Sequence, residues 1–193
     1  MTPAKSPSSP TLLASAYTPP KESGLKHRTA ALQLLLSDLI TFGTINPQVT
    51  PEGKRQVMLC NWAMSVIVAL CVDTFPTQDI KDIPSERVSI RKFVLEAISR
   101  ALKDIPASDS PDARYGRLLA LIDLCYRLLS VRFNMGPRKV NDETPTDIAK
   151  IMLEKNFVAT LTNALADVDL NNPGIRTVVA GILRPLEYLY VSL

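Results

Sequence analysis

All-α is the fold class that these 193 residues predict, on three observations. Thr50-Pro51, Ser110-Pro111, Thr144-Pro145 and Asn172-Pro173 each open a long stretch with apolar residues at helical spacing. A hydroxyl or amide side chain accepts a bond from the orphan N–H groups of a first turn, and proline fits the first helical position, where its missing N–H costs little. No alternating apolar pattern of the strand type recurs. Within residues 26–193 every proline except Pro185 falls between helices or at a helix start.

The elements follow in order. Residues 1–25 hold five of the fifteen prolines with many Ser, Thr and Ala and no sustained apolar period, the composition of a disordered tail or linker. Thr2, Ser6, Ser9 and Thr18 each precede a proline, so the segment is either a plain spacer or a target of proline-directed kinases. Removing it should leave stability nearly unchanged. From Arg28, Leu32, Leu35, Leu36 and Leu39 form one helical stripe that Gly43 and Pro47 end. A second helix runs from about Pro51 to Val72, and its half from Trp62 is apolar nearly all round, as in a helix packed between neighbours. Ser85 caps a third, with Ile90, Val94, Ala97, Ile98, Ala101 and Ile105 on one side. The fourth starts at Pro111 and buries Leu118, Leu121, Ile122, Cys125, Leu128 and Leu129. After a loop at 133–143, Pro145 opens a helical region to about Asp167 that breaks near Asn156. The last helix spans about Pro173 to Val191.

Pro185 breaks a local rule, because proline inside a helix loses a hydrogen bond and presses on the carbonyl four residues back. Gly181 occupies that position and eases the crowding, so the sequence predicts a kink. Leu183, Leu186, Leu189 and Tyr190 keep apolar spacing almost to Leu193, where a terminal repeat would carry a polar face. The expectation is a chain that stops inside a longer array, with Leu186 and Leu189 built to pack on a following helix pair.

Composition excludes several function classes. Residues 1–28 hold four of the 22 basic residues and one of the 19 acidic ones, which leaves the remainder formally neutral and argues against a nucleic-acid role. The most apolar stretch, Trp62 to Val72, is shorter than the roughly 20 residues a bilayer span needs, and the first thirty lack a signal-peptide block, so the sequence predicts a soluble protein. Cys60, Cys71 and Cys125 are isolated in apolar helices, which fits a reducing compartment, the nucleus and cytoplasm.

Chemistry finds little purchase. His27 is the single histidine, so triads and histidine metal sites lack their ligand, and no glycine sits in a phosphate-cradling motif. Asp167-Val-Asp169-Leu-Asn171 opens like a calcium loop, but Asn172 replaces the turn glycine and Val178 the bidentate glutamate. Asp167 is better read as a helix end and Asn172 as a cap. Cys60 and Cys71, eleven apart, share one helical face and are read as core. No catalytic residue, metal or cofactor is expected. Arg114, Arg117, Arg127, Arg132, Arg138 and Lys139 either line one interaction surface or form a solvated face.

Paired helices with short linkers resemble armadillo or HEAT repeats, giving an α-solenoid segment of about six helices over residues 26–193, with a plain helical bundle as the alternative because no residue-by-residue self-similarity recurs. The stretch DIAKIMLEKNFVATLTNALADVDLNNPGIRTVVAGILRPLEYL resembles a segment of the giant HECT-type E3 ubiquitin ligases that also carry UBA and WWE modules, the Mule family and its fungal counterparts. The similarity rests on EKNFVATL, on ADVDLNNPG and on ILRPLEYL, and extends more weakly through RTAALQLLLSDLI and LCNWAMSVIVALCVDT. The resemblance implies an internal armadillo-like scaffold that gathers protein substrates beside neighbouring repeats, while the transfer cysteine lies in a HECT domain that nothing here matches. The chain alone should then form no thioester with ubiquitin. The alternative is an independent helical-repeat adaptor binding a protein or RNA.

Overall fold

The computed structural model describes residues 21–43, 49–72, 85–106, 109–131 and 143–191. Among them are seven α-helices and one π-helical segment: α1 Lys21–Gln33, the π segment Leu34–Leu39, α2 Pro51–Cys71, α3 Ser85–Lys103, α4 Pro111–Ser130, α5 Glu143–Glu154, α6 Phe157–Ala166 and α7 Ile175–Val191. No described helix is long and apolar enough to cross a membrane. The tail expected over residues 1–25 lies outside the described residues up to residue 20, and residues 21–25 belong to α1.

Two of the four sequence-marked starts behave as side-chain caps. The Thr50 hydroxyl accepts from Gly53 N at 3.1 Å and the Ser110 hydroxyl from Ala113 N at 3.3 Å, each with proline in the first turn. The other two shift. Helix α5 already includes Glu143, one residue before Thr144. Helix α7 begins at Ile175 rather than at Pro173, because the Asn172 side chain turns back to accept from Gly174 N at 2.8 Å and forms a tight turn ahead of the helix. The break near Asn156 is real: Asn156 adopts a left-handed conformation with φ of 65°, which asparagine tolerates at a helix end, and it separates α5 from α6.

Helix α4 is the central element and packs against α2, α3, α5 and α7. Its apolar periodicity covers more than half the cylinder, so Leu118, Leu121, Leu124, Cys125 and Leu128 are all buried. The core around it takes Leu36 and Ile40 from the π region, Ile67 from α2, Leu95 and Ile98 from α3, Met152 from α5, Phe157 from α6 and Ile182 from α7. Contacts of α3 with α6 and of α4 with α7 join helices three positions apart in the chain order.

Close approaches at two glycines fix the packing on α4. Gly43 N donates to Gly116 O at 2.8 Å, docking the chain that follows the π segment onto α4, and a Cβ at Gly43 would press on that same carbonyl. A Cβ at Gly181 would stand 2.9 Å from Leu119 Cδ2. Gly181 therefore leaves room for the end of the Leu119 side chain where α7 meets α4, in addition to the relief of Pro185 expected from its spacing. Pro185 is itself buried, and α7 continues past it to Val191.

Two burial expectations are corrected. Helix α2 is not enclosed on all sides: Met58, Leu59, Trp62, Val66 and Leu70 are exposed, Trp62 by 69%, because the neighbouring helices cover only the face of Cys60, Met64, Ile67 and Cys71. Leu189 is fully buried against this chain's own core, so it has no face left for another helix pair, whereas Leu186 is half-buried and Leu183, Tyr190 and Val191 are exposed.

A buried arginine ties the first half to the second. Arg91 on α3 is 1% exposed; its Nε donates to Cys71 O at 2.7 Å, at the C-terminus of α2, and its NH1 lies 3.8 Å from Asp147 Oδ2 on α5. At the surface, Lys155 Nζ donates to Glu96 Oε2 at 2.8 Å and links the end of α5 to α3. That bond, together with the lysine charge, holds the Glu96 carboxyl below its ordinary range. Tyr115, buried on α4, accepts from Asp169 N at 2.9 Å and pins the turn between α6 and α7.

Candidate interaction groove between α2, α4 and α7

Helices α2 and α7 both pack on α4 and leave a groove of about 650 Å³ above it. Spacing along each helix decides what faces inward. On α4, Leu119, Ile122, Asp123, Tyr126 and Arg127 recur at three- and four-residue steps and make the floor. On α7, Arg176, Ala180 and Arg184 recur every four residues and make one wall, with Gly181 letting the helix lie close. Val57, Asn61 and Met64 of α2 make the other wall, and Phe42 closes an end.

The polar groups are positioned by one another. Arg127 Nε donates to Asp123 Oδ2 at 2.8 Å, one turn earlier on α4, and Arg127 NH2 donates to Asn61 Oδ1 at 2.7 Å across the groove. Asn61 and Asp123 therefore hold the guanidinium in one orientation. Tyr126 meets Tyr188 edge to face, with ring centroids 5.6 Å apart, and the Arg184 guanidinium carbon sits 5.9 Å from the Tyr126 centroid. Arg176 is exposed at the opposite end of the wall. Arg176 and Arg184 thus line a mixed floor on which Asp123 is already engaged by Arg127.

This arrangement holds no nucleophile ready for transfer. Cys60 borders the groove but is buried; desolvation pushes its thiol up, with the Phe42 backbone bond and the Arg127 charge opposing and Asp123 adding to the rise. Burial pushes Cys71 up to about 12, with Arg91 opposing, and pushes Cys125 up to about 12 as well. Thiols raised in this way stay protonated and unreactive near neutral pH. Among the described residues no group of His, Cys, Asp and Glu could hold a metal ion. The Asp169 carboxylate instead accepts from Asn171 N at 2.9 Å and from its amide at 3.2 Å, and Asp167 is the C-terminal cap of α6.

The sequence-marked basic residues separate. Arg127 lies in the groove, whereas Arg117 borders a second cavity of about 300 Å³ between α1, the π segment, α3 and α4. Ten residues along a helix turn a side chain well away from its starting direction, so these two do not share a surface. Arg114 is half-buried near the start of α4. Arg132, Arg138 and Lys139 lie outside the described residues. Sequence reasoning missed Arg176 and Arg184, whose four-residue step with Ala180 marks one helix face but not what that face packs beside.

These features define a class: an all-helical packing unit whose accessible feature is a basic groove and whose cysteines are buried. The relatives are more specific. The chain is 30% identical over 169 residues, 85% of its own length, to the E3 ubiquitin-protein ligase ptr1 of Schizosaccharomyces pombe. It is 28% identical over 173 residues to the probable E3 ubiquitin-protein ligase TOM1 of Eremothecium gossypii, and 30% identical over 188 residues to the E3 ubiquitin-protein ligase TOM1-like of Neurospora crassa. It spans 5%, 5% and 4% of the lengths of these relatives. No family model and no solved structure matches it.

Proposed function

We propose that this chain is a substrate-gathering helical segment of a HECT-type E3 ubiquitin-protein ligase, an armadillo-like stretch of a larger α-solenoid that itself carries no transfer chemistry. The observation that carries the reading is similarity over 85% of the chain to proteins named as E3 ubiquitin-protein ligases, of which it spans about one twentieth. The chemistry of the segment agrees with it. A transfer cysteine must expose a thiolate to a charged E2 enzyme, and the three cysteines here are buried with thiols pushed up. The partners under this reading are protein substrates and neighbouring helical repeats, with ubiquitin handled by a HECT domain elsewhere. Residence in the nucleus and cytoplasm fits three free thiols.

A replacement experiment tests it. The matching stretch of the Schizosaccharomyces pombe ptr1 ligase is deleted, or exchanged for this chain, and both substrate ubiquitination and self-ubiquitination are followed. Deletion should lower substrate modification while self-modification persists, and the exchange should restore part of the loss. Unchanged substrate modification after deletion overturns the proposal. Alone, the chain should form no reducible adduct with ubiquitin from charged E2 enzyme.

A further inference from the structure

We infer that the α2/α4/α7 groove binds a short acidic peptide segment in which a large apolar side chain is bracketed by carboxylates. The inference deepens the scaffold reading by naming what the segment holds, and it rests on the groove's own geometry. Arg176 and Arg184 lie eight residues apart on α7, a separation of about 12 Å at the rise of an α-helix. The α4 floor, from Leu119 to Arg127, has the same length. That distance accommodates two helical turns or about four residues of extended chain.

Charge complementarity selects the ligand. Arg127 has its Nε and NH2 donors engaged by Asp123 and Asn61, so the cations left for a ligand are Arg176 and Arg184. Arg184 is braced over the face of Tyr126, and among the described residues Arg176 and Arg184 make no ion pair. Guanidinium groups bind carboxylates through paired donors, and a planar fork that is already oriented loses less entropy on binding. Leu119, Val57, Phe42 and the Tyr126 ring, all half-buried, supply the apolar surface of the groove. A volume of about 650 Å³ matches the size of sites that enclose a few side chains. RNA would offer charge without an apolar side chain for this floor, and the folded part of the chain lacks the basic excess that phosphate binding uses.

The test uses the full 193-residue chain and fluorescent twelve-residue peptides in which Leu or Phe is placed between Asp and Glu at systematically varied spacing. Their Asn/Gln counterparts and a uridine oligonucleotide serve as comparison probes, and binding is read by anisotropy at two salt concentrations. At least one acidic peptide should bind with micromolar affinity, weaken tenfold or more on conversion to Asn/Gln, and weaken as salt rises. The double variant Arg176→Gln/Arg184→Gln, altered only at exposed positions, should weaken binding tenfold or more with unchanged circular dichroism. Arg55→Gln, on α2 outside the groove, should bind as the parent does. The inference is overturned if no acidic peptide binds below 1 mM, if the Asn/Gln forms bind equally, if the double variant binds normally, or if the oligonucleotide displaces the peptide with higher affinity. Each outcome is independent of ligase activity, so failure here leaves the replacement experiment standing.

Discussion

Substituting Arg91 should destabilise the chain more than any surface change, because one guanidinium serves three helices. It caps the carbonyl of Cys71 at the end of α2, pairs with Asp147 on α5 and fills buried space on α3 at 1% exposure. Arg91→Ala leaves the Cys71 carbonyl without this donor, removes one of the two cations facing Asp147, the other being Lys150 with Nζ at 3.9 Å, and opens a cavity where the aliphatic stem lay. Breaking a buried ion pair from one side costs about 3–5 kcal/mol. The Asp147 side chain is 27% exposed, so water recovers part of its loss, and the low end of that range, about 3 kcal/mol, is expected. For a domain of this size that corresponds to a fall in Tm of about 6–12 °C. Arg91→Met keeps most of the packing while losing the donor, and should fall between the parent and Arg91→Ala. Urea and thermal unfolding monitored by circular dichroism give the values, and a cycle with Asp147→Ala isolates the pair. A loss below about 0.5 kcal/mol for Arg91→Ala, the range of ordinary surface changes, would refute the reasoning. So would strict additivity in the cycle.

Further outcomes follow from the packing and the thiols. Gly43→Ala should cost about 1–3 kcal/mol, because the new methyl meets the rigid Gly116 carbonyl and Leu119 Cβ, whereas Gly181→Ala should be close to neutral. There the methyl meets only the end of the Leu119 side chain, and about 0.5–1 kcal/mol of helix propensity offsets the displacement; equilibrium unfolding of both variants decides it. Cys71 and Cys125 have folded pKa values above the ordinary 9.0, so their contribution is intact below pH 9 and is lost as pH rises from 9 towards 12. The slope approaches about 1.4 kcal/mol per pH unit for each thiol, and the double change to alanine should flatten that alkaline limb in pH-dependent unfolding. Replacing Met58, Trp62, Val66 and Leu70 of α2 by polar residues should shift stability by about 0.5 kcal/mol or less per site, and should reduce self-association in sedimentation velocity.

Much of the architecture was legible because it is local. Thr50 and Ser110 were readable as caps since the cap, the proline and the amide they serve lie within four residues, and the α5–α6 break at Asn156 is likewise a local conformational choice. The start of α7 was misplaced by a local ambiguity: an asparagine before proline can cap a helix or close a turn, and here it closes a turn. The π segment was not foreseen, because Leu32, Leu35, Leu36 and Leu39 fit the ordinary helical period and the extra residue per turn shows in backbone bonding such as that from Ile40 N to Leu35 O. The groove was half legible. Arg127 could be named, but its partner Asn61 is 66 residues away, and nothing in the pattern of α7 alone says that Arg176 and Arg184 would face it.

Helix α2 shows what periodicity can and cannot say. A face rich in Met, Leu, Trp and Val records that those side chains favour leaving water, not which surface receives them. Cys60, Met64, Ile67 and Cys71 find that surface inside this chain, while Met58, Leu59, Trp62, Val66 and Leu70 find none among the described residues. At α7 the same division runs within one helix, since Leu189 is wholly buried at home while Leu183, Tyr190 and Val191 are exposed. A hydrophobic pattern therefore fixes how much surface must be covered, and only the packing of α2 and α7 on α4 shows which side is covered from within. The groove between those two helices is set by the same packing, and there Arg176 and Arg184 of α7 stand exposed, which is why it, rather than the apolar side of α2, carries the proposal of an acidic ligand.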